Sequence, residues 1–227
     1  MEGKKKMNET DLNSDGFQRA RRQMVQMQLA ARGIGDERVL EAMSKVPRHL
    51  FVPEEMREHA YEDSPLPIGE GQTISQPYIV AKMTEALSLN PHDRILEIGT
   101  GSGYQAALLA ELAGHVYCIE LLAPLLERAH RILVRLGYEN ITLIQGDGTL
   151  GWPEHAPYNA IMVTAGAPHV PEPLERQLAM GGRMVIPVGD RYSQELVAVI
   201  KRPEGMAHMN LGGCRFVKLM GEQGWPA

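Results

Sequence analysis

The sequence predicts an α/β fold: a mainly parallel sheet with helices on both faces and an antiparallel addition at the C-terminal end. Three observations predict it. From residue 94 onward, short apolar runs alternate with helical segments, the pattern of βαβ units. The first of those runs ends in three closely spaced glycines, as a tight strand-to-helix turn requires. The last two apolar runs, 194–202 and 214–220, have no convincing helix between them, which pairs them antiparallel.

The elements follow in order. Residues 17–34 read as a helix with Met24, Met27, Leu29 and Ile34 on its apolar faces, closed by Gly33 and Gly35. A second helix is expected over 36–46, where Val39, Leu40 and Met43 recur at helical spacing. Pro47 and Pro53 bracket a loop around Phe51, and the segment LPIGEG at 66–71 is expected to be irregular. A third helix follows Pro77, carrying Ile79, Val80, Met83, Leu87 and Leu89. Strands are expected at 94–98, 115–120, 141–145, 158–164 and 183–188, with helices at 106–113, 121–136 and 171–180 between them.

The chain has 227 residues, 44% hydrophobic and 22% charged, which are globular proportions. Residues 1–16 read as a disordered, solvated tail in which Lys4, Lys5 and Lys6 form a charge run. Residues 17–227 read as one domain, with 17–90 supplying helices and a substrate loop and 91–227 the ligand-binding sheet and C-terminal strands. A net charge of −5 gives a polyanion no overall attraction. The N-terminus lacks the apolar core of a secretory signal, and no window of about 18 apolar residues could span a membrane, so a cytoplasmic location is expected. Two cysteines, Cys118 and Cys214, make no disulfide framework, and the eight histidines show no metal-ligand spacing, so no metal is expected.

The chemistry concentrates in RILEIGTGSGYQAA at 94–107. Gly99, Gly101 and Gly103 let the backbone turn and let a ligand approach, at the carboxyl end of a strand where open α/β sheets bind ligands. The spacing G-x-G-x-G departs from the dinucleotide pattern G-x-G-x-x-G, because Tyr104 stands where its third glycine belongs, and the Gly-Lys-Ser/Thr of a phosphate loop is absent. Glu97, inside the strand, would repel a pyrophosphate and suit a cationic amino group. A ligand with adenosine at one end and an amino acid at the other fits, and S-adenosylmethionine is such a ligand. Glu120 stands 21 residues beyond Gly99 at a strand end, where carboxylates accept ribose hydroxyls. Asp147, in Gly146-Asp147-Gly148, could accept an adenine amino group. The competing readings are a plain tight turn for the glycines, a helix N-terminal acid for Glu120 and an ordinary Asp-Gly turn for Asp147.

Beyond the glycine loop, LPIGEGQTISQPYIVA at 66–81 resembles the signature of the protein-L-isoaspartate O-methyltransferases. So do VPRHLFV at 46–52, LEIGTGSGY at 96–104, Gly146–Gly148 and IMVTA at 161–165. The resemblance implies a Rossmann-like class I methyltransferase fold. It implies methyl transfer from S-adenosylmethionine to the α-carboxylate of L-isoaspartyl residues in damaged peptides and proteins. The ester then closes to a succinimide, which reopens partly to aspartate. It further implies Ser75 as the active-site serine and Thr73, Ile74 and Ser75 at the join of substrate and cofactor. Glu97, Gly99, Thr100, Gly101 and Gly103 would hold the methionine part, Glu120 the ribose, and Asp147 with Gly148 the adenine. Val217 would offer its backbone to the peptide. Lys218 in place of a usual proline and Asn159 in place of a common aspartate depart from the family pattern.

Read from the residues, Ser75 orients a carboxylate that is already ionised at pH 7 and needs no strong base. It lacks the flanking glycines of a nucleophile elbow. The alternative is that Ser75 caps the following helix. The expected partners are isoaspartyl peptides, bound as extended chains on a strand edge, with no nucleic acid and no membrane, and the chain is taken as a monomer. Other readings are a methyltransferase for small molecules or nucleic acid, a nicotinamide oxidoreductase, and an adenosyl-ligand binding module without turnover. No N-P-P-Y/F base-methylating motif is present, and Val163-Thr164-Ala165-Gly166 stands at its place.

Overall fold

The computed structural model describes residues 15–226, so the tail expectation for residues 1–14 lies outside it. Helix α1 (Asp15–Met24) takes in Asp15 and Gly16, two residues expected in the tail. It continues through a π-helical turn (Val25–Leu29) and a 3-10 turn (Ala30–Arg32), and stops at Gly33, whose φ of +94° a side chain would resist. Helix α2 (Glu37–Lys45) starts on Asp36, whose carboxylate accepts the Arg38 N–H. The segment expected to be irregular is a β-hairpin, β1 (Leu66–Gly69) and β2 (Gln72–Ile74), turning through Glu70 and Gly71 at φ +53° and +69°. Leu66 and Ile68 point inward and Pro67 and Gly69 outward, a period-two pattern that the proline and glycines disguise. Helix α3 (Pro77–Leu87) opens on a proline at its first position, where no N–H is needed.

Strands β3 (Arg94–Ile98), β4 (His115–Glu120), β5 (Ile141–Gln145), β6 (Tyr158–Val163) and β7 (Leu178–Gly189) are parallel. Strands β8 (Gln194–Arg202) and β9 (Gly205–Cys214) add antiparallel to β7, giving the order β5-β4-β3-β6-β7-β8-β9. The expected antiparallel addition is therefore present, but its last strand is 205–214 and not 214–220. Residues 215–220 instead run past the sheet, with Phe216 N–H on the Gln194 side chain of β8 and Lys218 in an isolated parallel bridge to Gly166, beyond β6. The segment GMAHMNLGGC has no β-branched residue, so its strand character comes from pairing with β8. The last helix, α6 (Glu172–Gln177), is shorter than expected because β7 already begins at Leu178.

Alternation along the strands builds two cores. Ile95, Val116, Cys118, Ala160 and Met162 face helices α1 to α3 together with α4 (Tyr104–Leu112) and α5 (Ala123–Arg135). Leu96, Ile98, Ile161, Val163 and Met184 face α6, short 3-10 turns and Leu219 of the C-terminal segment. Helix α4 is buried on nearly every side, as its all-round apolar sequence requires. No described helix is long and apolar enough to cross a membrane. The strand order reverses at β3 and β6, so the crevice for a ligand lies at their carboxyl ends.

Candidate active site

Two loops meet at that crevice. After β3 the chain turns through Gly99, Gly101 and Gly103 at φ +88°, +53° and +87°. A Cβ on Gly99 would stand 2.6 Å from the Thr164 hydroxyl, which follows β6 and donates to the Gly99 carbonyl. A Cβ on Gly103 would stand 3.1 Å from that of Ala129, so this glycine lets α4 and α5 approach. The glycines thus serve both turn and packing, and the loop is more than a plain strand-to-helix turn.

Glu120, at the end of β4, is only 6% exposed and lines the cleft. Its carboxylate accepts the Gly101 N–H at 2.7 Å and the Leu122 N–H at 3.0 Å. It therefore pins the glycine loop while presenting an acceptor to the cleft.

Glu97 sits differently. Its register beside Cys118 and Met162 places it within the sheet, on the face of the N-terminal helices. It lines neither the cleft nor the recess described below. It is fully buried, and among the described residues its carboxyl oxygens meet no hydrogen-bond partner besides the neighbouring Cys118 thiol. Burial pushes its pKa up to about 8; the neighbouring Cys118 thiol acts against the rise and the Glu120 charge adds to it.

The hairpin β1–β2 lies over the glycine loop, with Ile68 3.6 Å from where a Gly101 Cβ would stand. Its last strand delivers Thr73, Ile74 and Ser75 to a small recess, shared with Thr100, Ser102 and Gln105. Thr73, Gly99, Gly101 and Thr164 line both cleft and recess, so the two lie side by side. The Thr100 hydroxyl is buried in this recess without a partner among the described residues. Ser75 does not cap α3: Gln76 holds the cap position, and no side chain bonds there. The Ser75 carbonyl instead accepts a guanidinium N–H of Arg48 at 2.8 Å.

The opposite wall is the C-terminal segment, with Val217, Lys218, Leu219 and Met220 on the cleft. Gly166 grips it twice, donating to the Val217 carbonyl at 2.7 Å and accepting from Leu219 N–H at 2.9 Å. The Trp225 indole also donates to the Gly166 carbonyl. Asp147 is not on the cleft surface, although Gly148 is; its carboxylate accepts from Thr149 and from the Glu222 N–H.

The structure therefore brings Thr73, Ile74, Ser75, Gly99, Thr100, Gly101, Glu120, Gly148 and Val217 together around two adjoining spaces. Gly103, Glu97 and Asp147 stand behind its walls. Sequence reasoning gave no role to Arg48, Thr164 or Gln72. Arg48 was visible within VPRHLFV, but its burial was not. The residues present suit an adenosyl amino acid: an acid for a diol at a strand end, a loop open to close approach, and an unpartnered buried hydroxyl. Among the described residues, no group of three or more His, Cys, Asp or Glu stands together as metal donors.

Known proteins resemble this chain in sequence and fold. The family model for protein-L-isoaspartate(D-aspartate) O-methyltransferase matches residues 19–224. The chain is 63% identical over 209 residues to protein-L-isoaspartate O-methyltransferase 1 of Syntrophobacter fumaroxidans, spanning 92% of this chain and 98% of that one. It is 58% identical over 214 residues to the Syntrophus aciditrophicus protein-L-isoaspartate O-methyltransferase, over 93% and 98% of the two chains. A solved protein-L-isoaspartate O-methyltransferase superposes with a TM-score of 0.80 at 32% identity, over 89% of this chain and 67% of that one. A Plasmodium falciparum structure described as the same enzyme, in complex with S-adenosyl-L-homocysteine, gives 0.77 at 26% identity, over 88% and 98%. With the glycine loop, the Thr73–Ser75 strap and the C-terminal wall all inside the matched span, the chain belongs to the protein-L-isoaspartate(D-aspartate) O-methyltransferase family.

Proposed function

We propose that the adjoining cleft and recess bind S-adenosylmethionine beside the α-carboxylate of an L-isoaspartyl residue, and that the chain methylates that carboxylate in damaged peptides and proteins. The observation that carries this is the junction of the two spaces at Thr73, Gly99, Gly101 and Thr164. It sets a cofactor-type loop directly against the serine-bearing strap.

S-adenosylmethionine, when bound, supplies the methyl group and leaves as S-adenosylhomocysteine. The chain's own residues bind and orient. Glu120 holds the ribose hydroxyls, Gly148 backs the adenine, and the loop of Gly99, Thr100 and Gly101 receives the amino acid part. Gly103, Glu97 and Asp147 support these residues from behind. No strong base is needed, because a peptide carboxylate is ionised at neutral pH. Ser75 donates its hydroxyl to one carboxylate oxygen and leaves the other to attack. Alignment of that kind is worth several kcal/mol of barrier, up to roughly 7–11 in the best cases. Thr73 and Ile74 flank the join, and Val217 meets the peptide backbone. The Val217 carbonyl is already engaged by Gly166, so its N–H is the group left to offer.

On this reading residues 17–90 supply the peptide side of a single domain and 91–227 the cofactor side. We read the protein as a monomeric cytoplasmic enzyme whose partners are isoaspartyl proteins and not nucleic acid. The test is base-labile methyl incorporation from labelled S-adenosylmethionine into matched isoaspartyl and aspartyl peptides. Incorporation confined to the isoaspartyl member is expected, and comparable kcat/KM values for both peptides overturn the reading.

A further inference from the structure

We propose that Arg48 is a positioning residue for the methyl transfer, setting the direction of Ser75 by holding its carbonyl from behind. The proposal rests on the reading of Ser75 as the group that orients the peptide carboxylate.

Arg48 begins the 3-10 turn Arg48–Leu50 and is 0% exposed. Its Nε–H donates to the Ala60 carbonyl at 2.7 Å and its Nη2 to the Ser75 carbonyl at 2.8 Å. Its guanidinium carbon lies 5.1 Å from the centre of the Tyr104 ring, and Tyr104 opens α4 and lines the recess with Ser75. One side chain thus joins the loop before the hairpin, the serine strap and the first residue beyond the glycine loop. Among the described residues no carboxylate pairs with this cation, and its Nη1 has no hydrogen-bond partner.

A buried guanidinium with no carboxylate beside it is a costly way to fill space. An apolar side chain of similar volume serves stability as well or better. Burial lowers the Arg48 pKa to about 10, which still leaves it charged at neutral pH. The compensation lies in geometry. The peptide unit leaving Ser75 is planar, so holding its carbonyl fixes that plane and the place of the Ser75 Cα, and limits the backbone rotations that aim its side chain. A rigid fork can hold two carbonyls from different segments at once, which the single ammonium of lysine cannot do in the same geometry.

The test uses R48K and R48M in the full chain, each with and without S75A. It reads kcat/KM on an isoaspartyl peptide and S-adenosylhomocysteine affinity by calorimetry. R48K is expected to lower kcat/KM tenfold or more while leaving the affinity within twofold of wild type. S75A, costly in the wild type, should then cost less than twofold on top of R48K. An S75A effect of equal size in both backgrounds overturns the proposal while leaving the Ser75 reading intact. Unchanged kcat/KM in R48K and R48M, or parallel loss of affinity and activity, also overturns it. So does failure of both variants to fold, which would make Arg48 a determinant of the fold and not of the strap. If S75A alone leaves wild-type kcat/KM unchanged, the Ser75 reading falls and this proposal with it.

Discussion

The carboxylate of Asp147 accepts the backbone N–H of Glu222 through Oδ2 at 2.7 Å, while Oδ1 takes the N–H and hydroxyl of Thr149 at 2.8 and 2.6 Å. An acid expected at the adenine is thereby the anchor of the segment that walls the cleft. In D147N one oxygen becomes an NH2 group, which must face a donor. Hydrogen bonds to a charged acceptor are worth about 1.5–3 kcal/mol. Released from this anchor, residues 217–220 lose their fixed place on the cleft. The expected result is a rise in the dissociation constant for S-adenosylhomocysteine of about tenfold or more. Calorimetry checks it, and an unchanged constant would mean that the Gly166 grip suffices alone.

Ser75 offers a sharper contrast between structure and chemistry. It makes no helix-cap bond, so S75A should leave the melting temperature within about 1 °C of wild type, as a surface substitution does. Losing one donor to a charged oxygen should still lower kcat/KM on isoaspartyl peptide roughly ten- to hundredfold. Affinity for S-adenosylhomocysteine should not move. A cap would show the reverse: lower stability with unchanged turnover.

Much of this site was legible because some residues carry their geometry with them. Three glycines after an apolar run imply positive φ and close approach, and Gly99 and Gly103 show both. Glu120 was legible because a strand end fixes where its side chain emerges. Other features depend on partners far along the chain. The hairpin over residues 66–74 was hidden by Pro67 and its glycines, and β9 by a sequence with no β-branched residue, each decided by pairing. Arg48 reads as an ordinary surface cation until folding encloses it. Asp147 was expected at the adenine, with a turn as the competing reading, and the donor that ties it to the C-terminal segment comes from Glu222, 75 residues on.

Gly99 tests how tightly the crevice is built. G99A combines a φ of +88° with a methyl group 2.6 Å from the Thr164 hydroxyl. Left-handed backbone and clash together should cost about 1–3 kcal/mol. For a domain of this size that lowers the melting temperature by roughly 2–12 °C. Adding T164A removes the clash but not the backbone strain. The double variant should therefore recover part of the loss, and strict additivity would show that the two residues do not press on each other.

Glu97 gives a pH dependence whose sign follows from its burial. Its pKa is raised from 4.5 to about 8 in the folded chain, with burial as the main cause. Between those values the folded state holds a proton that the unfolded state has released, so stability falls as pH rises through this window and levels off above it. Below about 4.5 both states are protonated and the group contributes no slope. E97Q keeps the shape and removes the titration. Its melting temperature relative to wild type should climb by several degrees between about pH 5 and pH 8, since each kcal/mol is worth about 2–4 °C here. Thermal scans of both proteins across that range provide the measurement. A constant difference between them would mean that Glu97 stays ionised in the fold. That outcome would restore the sequence expectation of a negative charge suited to a cationic amino group.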